Sequence, residues 1–144
     1  MKILAIDTST DRICVGLIVD GTLVASAYHD DPLAHGEVLP KLVSQFKAKL
    51  ENLDLVAIGM GPGPFTGLRS GIAFGQGYAL ARGVPWVGIN SLDALSQQFD
   101  DKDFFVQVDA RRKEIFYARY KDGKRVGEVN VGKRAQLEIF NIPI

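Results

Sequence analysis

Residues 59–80 read GMGPGPFTGLRSGIAFGQGYAL, and this stretch decides the fold because it joins a Gly/Pro loop to an unusual helix. Alternating Gly and Pro suit neither a helix nor a strand, since Pro fixes its φ angle and Gly admits φ angles closed to other residues. The predicted structural loop comprises Gly61, Pro62, Gly63, Pro64, Phe65 and Thr66.

The helix after this loop is predicted to run to about Arg82, where Gly83 stops it. Small residues recur there at every fourth position and so share one face: Gly67, Gly71, Gly75 and Ala79. An interior Gly costs a helix about 1 kcal/mol relative to Ala, so the stripe indicates close approach by another backbone. That backbone could belong to the same chain or to a partner.

The residues before the loop predict strands and one helix. Residues 2–7, 12–19 and 22–28 predict an antiparallel meander with a hairpin turn at Asp20-Gly21, and the first strand is expected to be buried on both faces. An apolar stripe then predicts a helix over about 38–50 with Pro40 in its first turn. The stripe consists of Leu39, Leu42, Val43, Phe46 and Leu50.

The remaining elements complete one lobe and begin another. Residues 54–60 predict a buried strand and residues 86–89 a further short strand, and residues 91–99 predict a helix capped from Ser91. We therefore expect an α/β lobe over 1–100 with a five-stranded mixed sheet covered by helices. A second lobe over 101–144 is expected to open with a β-meander whose strands are 104–108, 114–120 and 125–131, with a hairpin turn at Asp122-Gly123.

Composition limits the function classes. The chain has 144 residues, with 17 basic and 17 acidic side chains, so its charge does not suggest generic nucleic-acid binding. Cys14 is the only cysteine; it lies in an apolar strand, which favours a core position over a reactive one, and its isolation fits a reducing cytoplasm. No apolar segment of the sequence is long enough to span a bilayer.

Four motifs resemble one protein family. They are ILAIDTST at Ile3–Thr10, His35 with Leu39-Pro40, GPGPFTGLRSGI at Gly61–Ile72, and VDARRKEIFYARY at Val108–Tyr120. Their order and gaps are similar to those of the TsaB (YeaZ) family. The resemblance implies an actin-like ATPase fold (ASKHA, RNase H-like). Since family members usually continue into a helix-completed second lobe, it also implies a shortened second lobe here.

The resemblance implies a function in forming threonylcarbamoyladenosine next to the anticodon of tRNAs that read codons beginning with A. It implies a non-catalytic, cofactor-free, cytoplasmic scaffold that pairs with the catalytic paralogue TsaD and reaches tRNA only through that complex. The ATPase TsaE is a candidate further partner, and a homodimer is expected in isolation. The pairing helices of the first lobe would contribute Leu39, Leu42, Val43, Phe46, Gly67, Gly71, Phe74, Gly75, Tyr78 and Ala79.

Several residues allow other functions. Asp7, Thr8, Ser9 and Thr10 occupy the position of a phosphate loop in ATPases of this superfamily. No Gly follows Asp7, so a turn capped by its own hydroxyl groups is favoured over a nucleotide site. The Gly61–Gly67 loop lacks the Lys of a Walker loop, which favours a structural turn there. An ATP-dependent phosphotransferase or ATPase, and a plain homodimeric interaction module, remain the alternatives.

A metal site is not favoured, because His29 and His35 are six residues apart with Pro32 between them. Asp30, Asp31 and Glu37 are the carboxylates nearby, and a solvated acidic loop is the favoured explanation for them. A metallopeptidase is therefore not expected. The basic cluster Arg111, Arg112 and Lys113 precedes Phe116, Tyr117 and Tyr120, so accessory RNA contact competes with a charged hairpin turn as its interpretation.

Overall fold

The computed structural model describes residues 1–30 and 35–133. In chain order its strands and helices are β1 (Lys2–Asp7), β2 (Arg12–Val19), β3 (Thr22–Asp30), α1 (His35–Ser44), β4 (Leu55–Gly59), α2 (Phe65–Arg82), β5 (Trp86–Ile89), α3 (Ser91–Ser96), β6 (Asp103–Arg111), β7 (Glu114–Lys121) and β8 (Lys124–Lys133). None of the helices in these ranges is long and apolar enough to cross a bilayer.

The first sheet has the mixed five-stranded architecture that the sequence predicts. Its strand order is β3-β2-β1-β4-β5. Strand β1 pairs antiparallel with β2 and parallel with β4, and β4 pairs parallel with β5. The hairpin between β2 and β3 turns at Asp20 and Gly21, whose φ angles of 48° and 81° are the positive pair that a tight hairpin turn requires.

One face of this sheet packs against α1 and α2 and forms the main core. Leu4 and Ile6 of β1, Val15 of β2 and Ile58 of β4 all belong to that core. The sequence-based expectation that β1 is buried on both faces is wrong, because its other face is only half-buried at Ile3 and Ala5.

The half-buried face of the first sheet also exposes Cys14, so the prediction that this cysteine is a core residue is wrong as well. A shallow cavity of about 170 Å³ lies on this face, bordered by Cys14, Ala57 and by Ala94 of α3. In the part of the chain that the structure describes, α1 and α2 cover only the opposite face. The thiol of Cys14 is exposed because its own face lacks that cover.

Helix α1 differs from the predicted 38–50 helix at both ends. It begins at His35, so Pro40 lies inside the helix and not in its first turn. After Ser44 the backbone hydrogen bonds join residues three apart in sequence, as from the Phe46 N–H to the Val43 carbonyl at 3.0 Å. A 3-10 turn follows at Lys47–Lys49. The apolar stripe nevertheless remains continuous across this change, because the tightened turns keep its members on the core side.

Helix α3 joins the first sheet to the second. Its N-cap is Asn90 and not the predicted Ser91, because the Asn90 side chain accepts from the backbone N–H groups of Leu92 and Asp93 at 3.0 and 3.3 Å. The helix ends at Ser96 and continues as 3-10-type turns to Phe99. It therefore stops short of the predicted end.

The second sheet is the predicted meander, with strand order β6-β7-β8. Leu92 of α3 packs into a cluster with Val106, Ala118 and Tyr120 of this sheet. The division of the chain at residue 100 stays a prediction, and α3 makes contacts across it. Residues 134–144, the end of the predicted second lobe, lie outside the described residues.

Candidate functional site

Three loops meet at the carboxyl ends of the parallel strands β1, β4 and β5, the edge where α/β sheets commonly bind ligands. Ser91, after β5, connects them. Its hydroxyl donates to Asp7 Oδ2 at 2.6 Å and accepts from the Gly61 N–H at 3.1 Å. Its own N–H donates to the Gly61 carbonyl at 2.8 Å. The turn after β1 and the Gly/Pro loop are thereby tied to α3.

The four candidate nucleotide-loop residues are occupied by contacts within the chain. Asp7 Oδ1 accepts from the N–H of Ser9 at 2.7 Å and from its hydroxyl at 2.6 Å. Thr8 donates from its hydroxyl to the Gly67 carbonyl at 2.8 Å. Thr10 Oγ1 accepts from the Arg12 N–H at 3.2 Å. The structure therefore has the hydroxyl-capped turn at this position.

The Gly/Pro loop needs its glycines because it packs directly against that turn. A Cβ atom on Gly63 would lie 1.9 Å from the carbonyl oxygen of Ser9, and one on Gly59 would lie 2.0 Å from Asp7 Oδ2. Gly61 has a φ angle of 79°, in the left-handed region that favours glycine. Two of these glycines thus allow close approach and the third allows the turn.

The small-residue stripe of α2 faces the inside of the chain. Gly67, Gly71, Gly75 and Ala79 are all buried. A Cβ atom on Gly71 would lie 2.0 Å from Thr8 Oγ1, and one on Gly75 would lie 2.7 Å from Ile58 Cδ1. The atoms that approach the stripe therefore belong to the side chains of Thr8, in the turn after β1, and of Ile58 in β4. The assignment of the small-residue stripe to a partner interface is therefore wrong for all four of its residues.

The α1 part of the predicted interface is likewise inside the molecule. The exposed fractions of Leu39, Leu42, Val43 and Phe46 lie between 1% and 7%. These side chains pack against the first sheet and cannot contact a partner without unfolding the core. They are corrected to core positions.

Phe74 and Tyr78 of the predicted interface are half-buried on the flank of α2. Their rings stack with centroids 5.9 Å apart, and both pack against the main core. Each is only partly exposed, so these two residues border a surface without forming its centre.

The opposite face of α2 is exposed and carries a second stripe. Every fourth residue from Phe65 to Ala81 is two positions out of step with the buried stripe, which places these residues on the other side of the helix, and Leu80 lies beside them. We define the outer face of α2 as Phe65, Arg69, Ala73, Gly77, Leu80 and Ala81, all of which are exposed.

Leu80 is 83% exposed and Phe65 is 68% exposed with the Arg69 guanidinium 3.8 Å above its ring centre. Sequence reasoning missed this outer face, although the same four-residue spacing marks both stripes.

A charged cleft separates the turn after β1 from the second sheet. It has a volume of about 310 Å³ and is bordered by Asp11, Arg12, Asp30 and Asp109 among others. Arg12 donates two hydrogen bonds to Asp30 at 2.6 and 2.9 Å and holds the pKa of that carboxyl below its usual value. The Arg111 guanidinium donates to Asp11 across the cleft. The arginines therefore offset much of the acidic charge.

The basic and aromatic residues of the second lobe do not form one surface. Phe116 and Tyr120 lie on the side of β7 that faces α3, whereas Tyr117 lies on the other side. Arg111 is bound to Asp11, while Arg112 and Lys113 lie at the exposed tip of the β6–β7 turn. Only part of the predicted cluster is thus available to a partner.

No group of three or more His, Cys, Asp or Glu side chains is placed to hold a metal within residues 1–30 and 35–133. His29 is paired with Ile13 in the sheet. The side chain of His35 and all of Asp31 lie outside the described residues. The apolar surroundings of Cys14, with a smaller effect from Asp7, raise the pKa of its thiol, which does not activate it as a nucleophile.

Comparisons with known proteins identify the family. Residues 24–136 match the family model TsaD, tRNA N6-adenosine threonylcarbamoyltransferase. The chain is 41% identical to an uncharacterized protein of Mycobacterium tuberculosis over 94% of its own length and 67% of that protein's. It is 35% identical to the tRNA threonylcarbamoyladenosine biosynthesis protein TsaB of Escherichia coli, over 83% of this chain and 55% of that one.

A solved structure confirms the fold. YeaZ from Pseudomonas aeruginosa superposes with a TM-score of 0.78 at 28% identity, covering 90% of this chain and 66% of that chain. The actin-like ATPase fold implied by the resemblance is therefore confirmed. The chain spans between 40% and 67% of the length of the mycobacterial and TsaB relatives that it matches. The chain belongs to the family described by the tRNA N6-adenosine threonylcarbamoyltransferase model and, within it, to the TsaB (YeaZ) group.

Proposed function

We propose that this chain is a non-catalytic subunit of tRNA threonylcarbamoyladenosine biosynthesis that binds a TsaD-type partner through the outer face of α2. The observation that carries the proposal is the exposed stripe of that face. It combines small residues, which allow a second helix to approach closely, with Leu80, which is 83% exposed. An exposed apolar side chain beside small ones is typical of a helix-packing surface.

The family relationship supports the choice of partner. The chain matches a TsaD family model along residues 24–136, a range that includes all of α2. A TsaD-type protein is therefore expected to share the helix and to present a related outer face. Two related faces can pack in a pseudo-twofold arrangement, as in isologous dimers.

The hydrogen bonds of the three loops support binding over catalysis. Both carboxylate oxygens of Asp7 already accept hydrogen bonds within the chain. Thr8 and Ser9 are buried, at 1% and 2% exposure, so their hydroxyl groups are not presented to a substrate. An Asp that holds three loops together is fully explained by that structural role.

The proposal is tested by measuring the affinity for the TsaD-type protein of the same cell by titration calorimetry. Gly77→Leu is expected to weaken pairing about tenfold or more, because the new side chain overfills a close helix contact. No atom outside the helix lies within 4 Å of a Cβ atom at this position, so the monomer is expected to stay folded.

Thr22→Leu is the matched control, because it adds the same side chain at an exposed position of β3. This variant is expected to pair normally. Equal loss of affinity in both variants would contradict the assignment of the interface. Self-association without any binding of the TsaD-type protein would instead support the homodimeric module and refute the choice of partner.

A further inference from the structure

We propose that the face of the second sheet turned away from α3 binds single-stranded RNA. Phe105 and Tyr117 would stack on bases, and the cations at the two ends of β7 would contact phosphates. The inference rests on the proposed function, since an RNA loop is the substrate class of a tRNA-modifying complex. It goes beyond that function by assigning a direct RNA contact to this chain.

The strand register separates the two faces. The cross-strand pairs on the α3 side are Phe104 with Tyr120, Val106 with Ala118, and Val108 with Phe116. The alternate pairs are Phe105 with Arg119 and Gln107 with Tyr117, and Asn130 of β8 lies opposite Tyr117. Because side chains alternate along a strand, these alternate residues share the face turned away from α3. We call this surface the outer face of the second sheet.

The outer face of the second sheet has the side chains that single-stranded RNA requires. The rings of Phe105 and Tyr117 lie 6.2 Å apart at their centroids, and both are partly exposed. Sheets that bind single-stranded RNA stack bases on such rings and read base edges with amides, here available from Gln107. Gln107 also borders a depression of about 360 Å³, together with Val108, Asp109, Lys113, Glu114 and Ile115.

The charge of this sheet complements RNA. Residues 101–133 carry nine Lys and Arg against six Asp and Glu. Arg111, Arg119 and Arg125 bind carboxylates. Among the described residues, the exposed pairs Arg112 with Lys113 and Lys121 with Lys124 make no comparable ion pair.

The two cationic pairs lie at opposite ends of β7. The eight residues of β7 separate them by roughly 25 Å, enough for about four nucleotides of an extended strand. Cations at both ends of a sheet that carries aromatic rings favour a linear polyanion whose bases can stack on those rings. A negatively charged protein surface does not offer a regular row of stacking groups. The arrangement therefore favours RNA.

The test is fluorescence anisotropy of the full chain with a labelled single-stranded RNA of about 12 nucleotides, which exceeds the expected site. Tyr117→Ala is expected to weaken binding about tenfold or more through loss of a stacking partner. Tyr117→Phe keeps the ring and is expected to bind like the unchanged chain, which separates stacking from a general defect in folding.

A charge-matched pair tests the phosphate contacts. Arg112→Glu with Lys113→Glu is expected to weaken binding and to reduce the slope of log affinity against log salt by about 0.7 for each lost contact. Lys47→Glu with Lys49→Glu makes the same charge change at exposed sites of the first lobe and should bind normally.

The proposal is overturned if the unchanged chain does not bind the RNA, or if the two double variants lose affinity equally. Duplex RNA binding as tightly, with no effect of Tyr117→Ala, would show polyanion attraction and also overturn it. These measurements contain no partner protein, so their failure leaves the pairing proposal standing. Failure of pairing in calorimetry would likewise be distinct from failure here.

Discussion

Gly71 and Gly77 lie six residues apart in one helix, yet a methyl group would meet opposite surroundings at each. At Gly71 the added Cβ would lie 2.0 Å from Thr8 Oγ1, and Thr8 is held by its bond to the Gly67 carbonyl. At Gly77 no atom outside the helix lies within 4 Å. The first glycine is required by packing, and the second lies on the surface that we assign to a partner.

Alanine at these two positions is expected to change stability in opposite directions. Gly71→Ala should lower the free energy of unfolding by about 1–3 kcal/mol, because a tightly packed site cannot take the methyl group without shifting its neighbours. Gly77→Ala should raise it by up to about 1 kcal/mol through helix propensity. Urea denaturation followed by circular dichroism measures both. Equal unfolding midpoints for the two variants would refute the orientation of α2.

Asp7, like Gly71, is required by contacts within the chain, in this case hydrogen bonds. Its carboxylate accepts hydrogen bonds from Ser9 and Ser91, so three loops depend on one side chain. A phosphate-binding loop would leave this edge of the sheet open. Here the edge is filled by the chain's own hydroxyl groups, in accordance with a structural role.

Helix α2 shows how far the sequence can be interpreted. Its spacing predicts the element and its end near Arg82, because periodicity and Gly83 are local signals. The direction of each face was not predictable, because the stripes at 67–79 and 69–81 are both rich in small residues. A glycine has no side chain whose polarity reveals burial, so only the tertiary structure shows which stripe faces the sheet.

The predicted boundaries of α1 and α3 are wrong for a related reason. The apolar stripe of α1 correctly predicts a buried face, but 3-10 turns keep the same residues inside after the helix ends at Ser44. At α3 both Asn90 and Ser91 are good capping residues. Ser91 instead binds Asp7, a contact 84 residues distant in sequence that no local pattern contains.

The hydrogen bond between Tyr120 of β7 and Asp93 of α3 is expected to control an alkaline unfolding transition. This prediction concerns the phenol of Tyr120. This phenol is 1% exposed and donates to Asp93 at 2.7 Å. Burial, and then the bond to Asp93, raise the pKa of Tyr120 above its ordinary value. Because the unfolded phenol ionises near pH 10, the contribution is complete below about pH 10 and decreases as pH rises towards the raised folded value.

Ultraviolet titration of the phenolate band checks this prediction. Tyr120 should ionise only as the protein unfolds, because its phenol is buried and bonded to Asp93 in the folded chain. Tyr120→Phe should cost about 1 kcal/mol near neutral pH through the lost hydrogen bond, and should flatten the alkaline dependence of stability. Ionisation of all four tyrosines in one step while the protein stays folded would contradict it.

At the scale of the whole molecule, two sheets are joined by α3 and by the bond from Arg111 to Asp11. Each sheet leaves one face accessible within the described residues, and the outer face of α2 lies on the first lobe. The proposed partner and RNA surfaces therefore lie on different lobes. With both proposed surfaces occupied, the chain would hold a partner and an RNA at the same time.

The most direct test of the central proposal is the threonylcarbamoyladenosine content of tRNA in bacteria depleted of their own TsaB. Nucleoside mass spectrometry would compare cells that express this chain, Thr22→Leu or Gly77→Leu at equal levels. The account predicts that the unchanged chain and Thr22→Leu restore the modification and that Gly77→Leu does not. Full restoration by Gly77→Leu, or none by the unchanged chain, would contradict it.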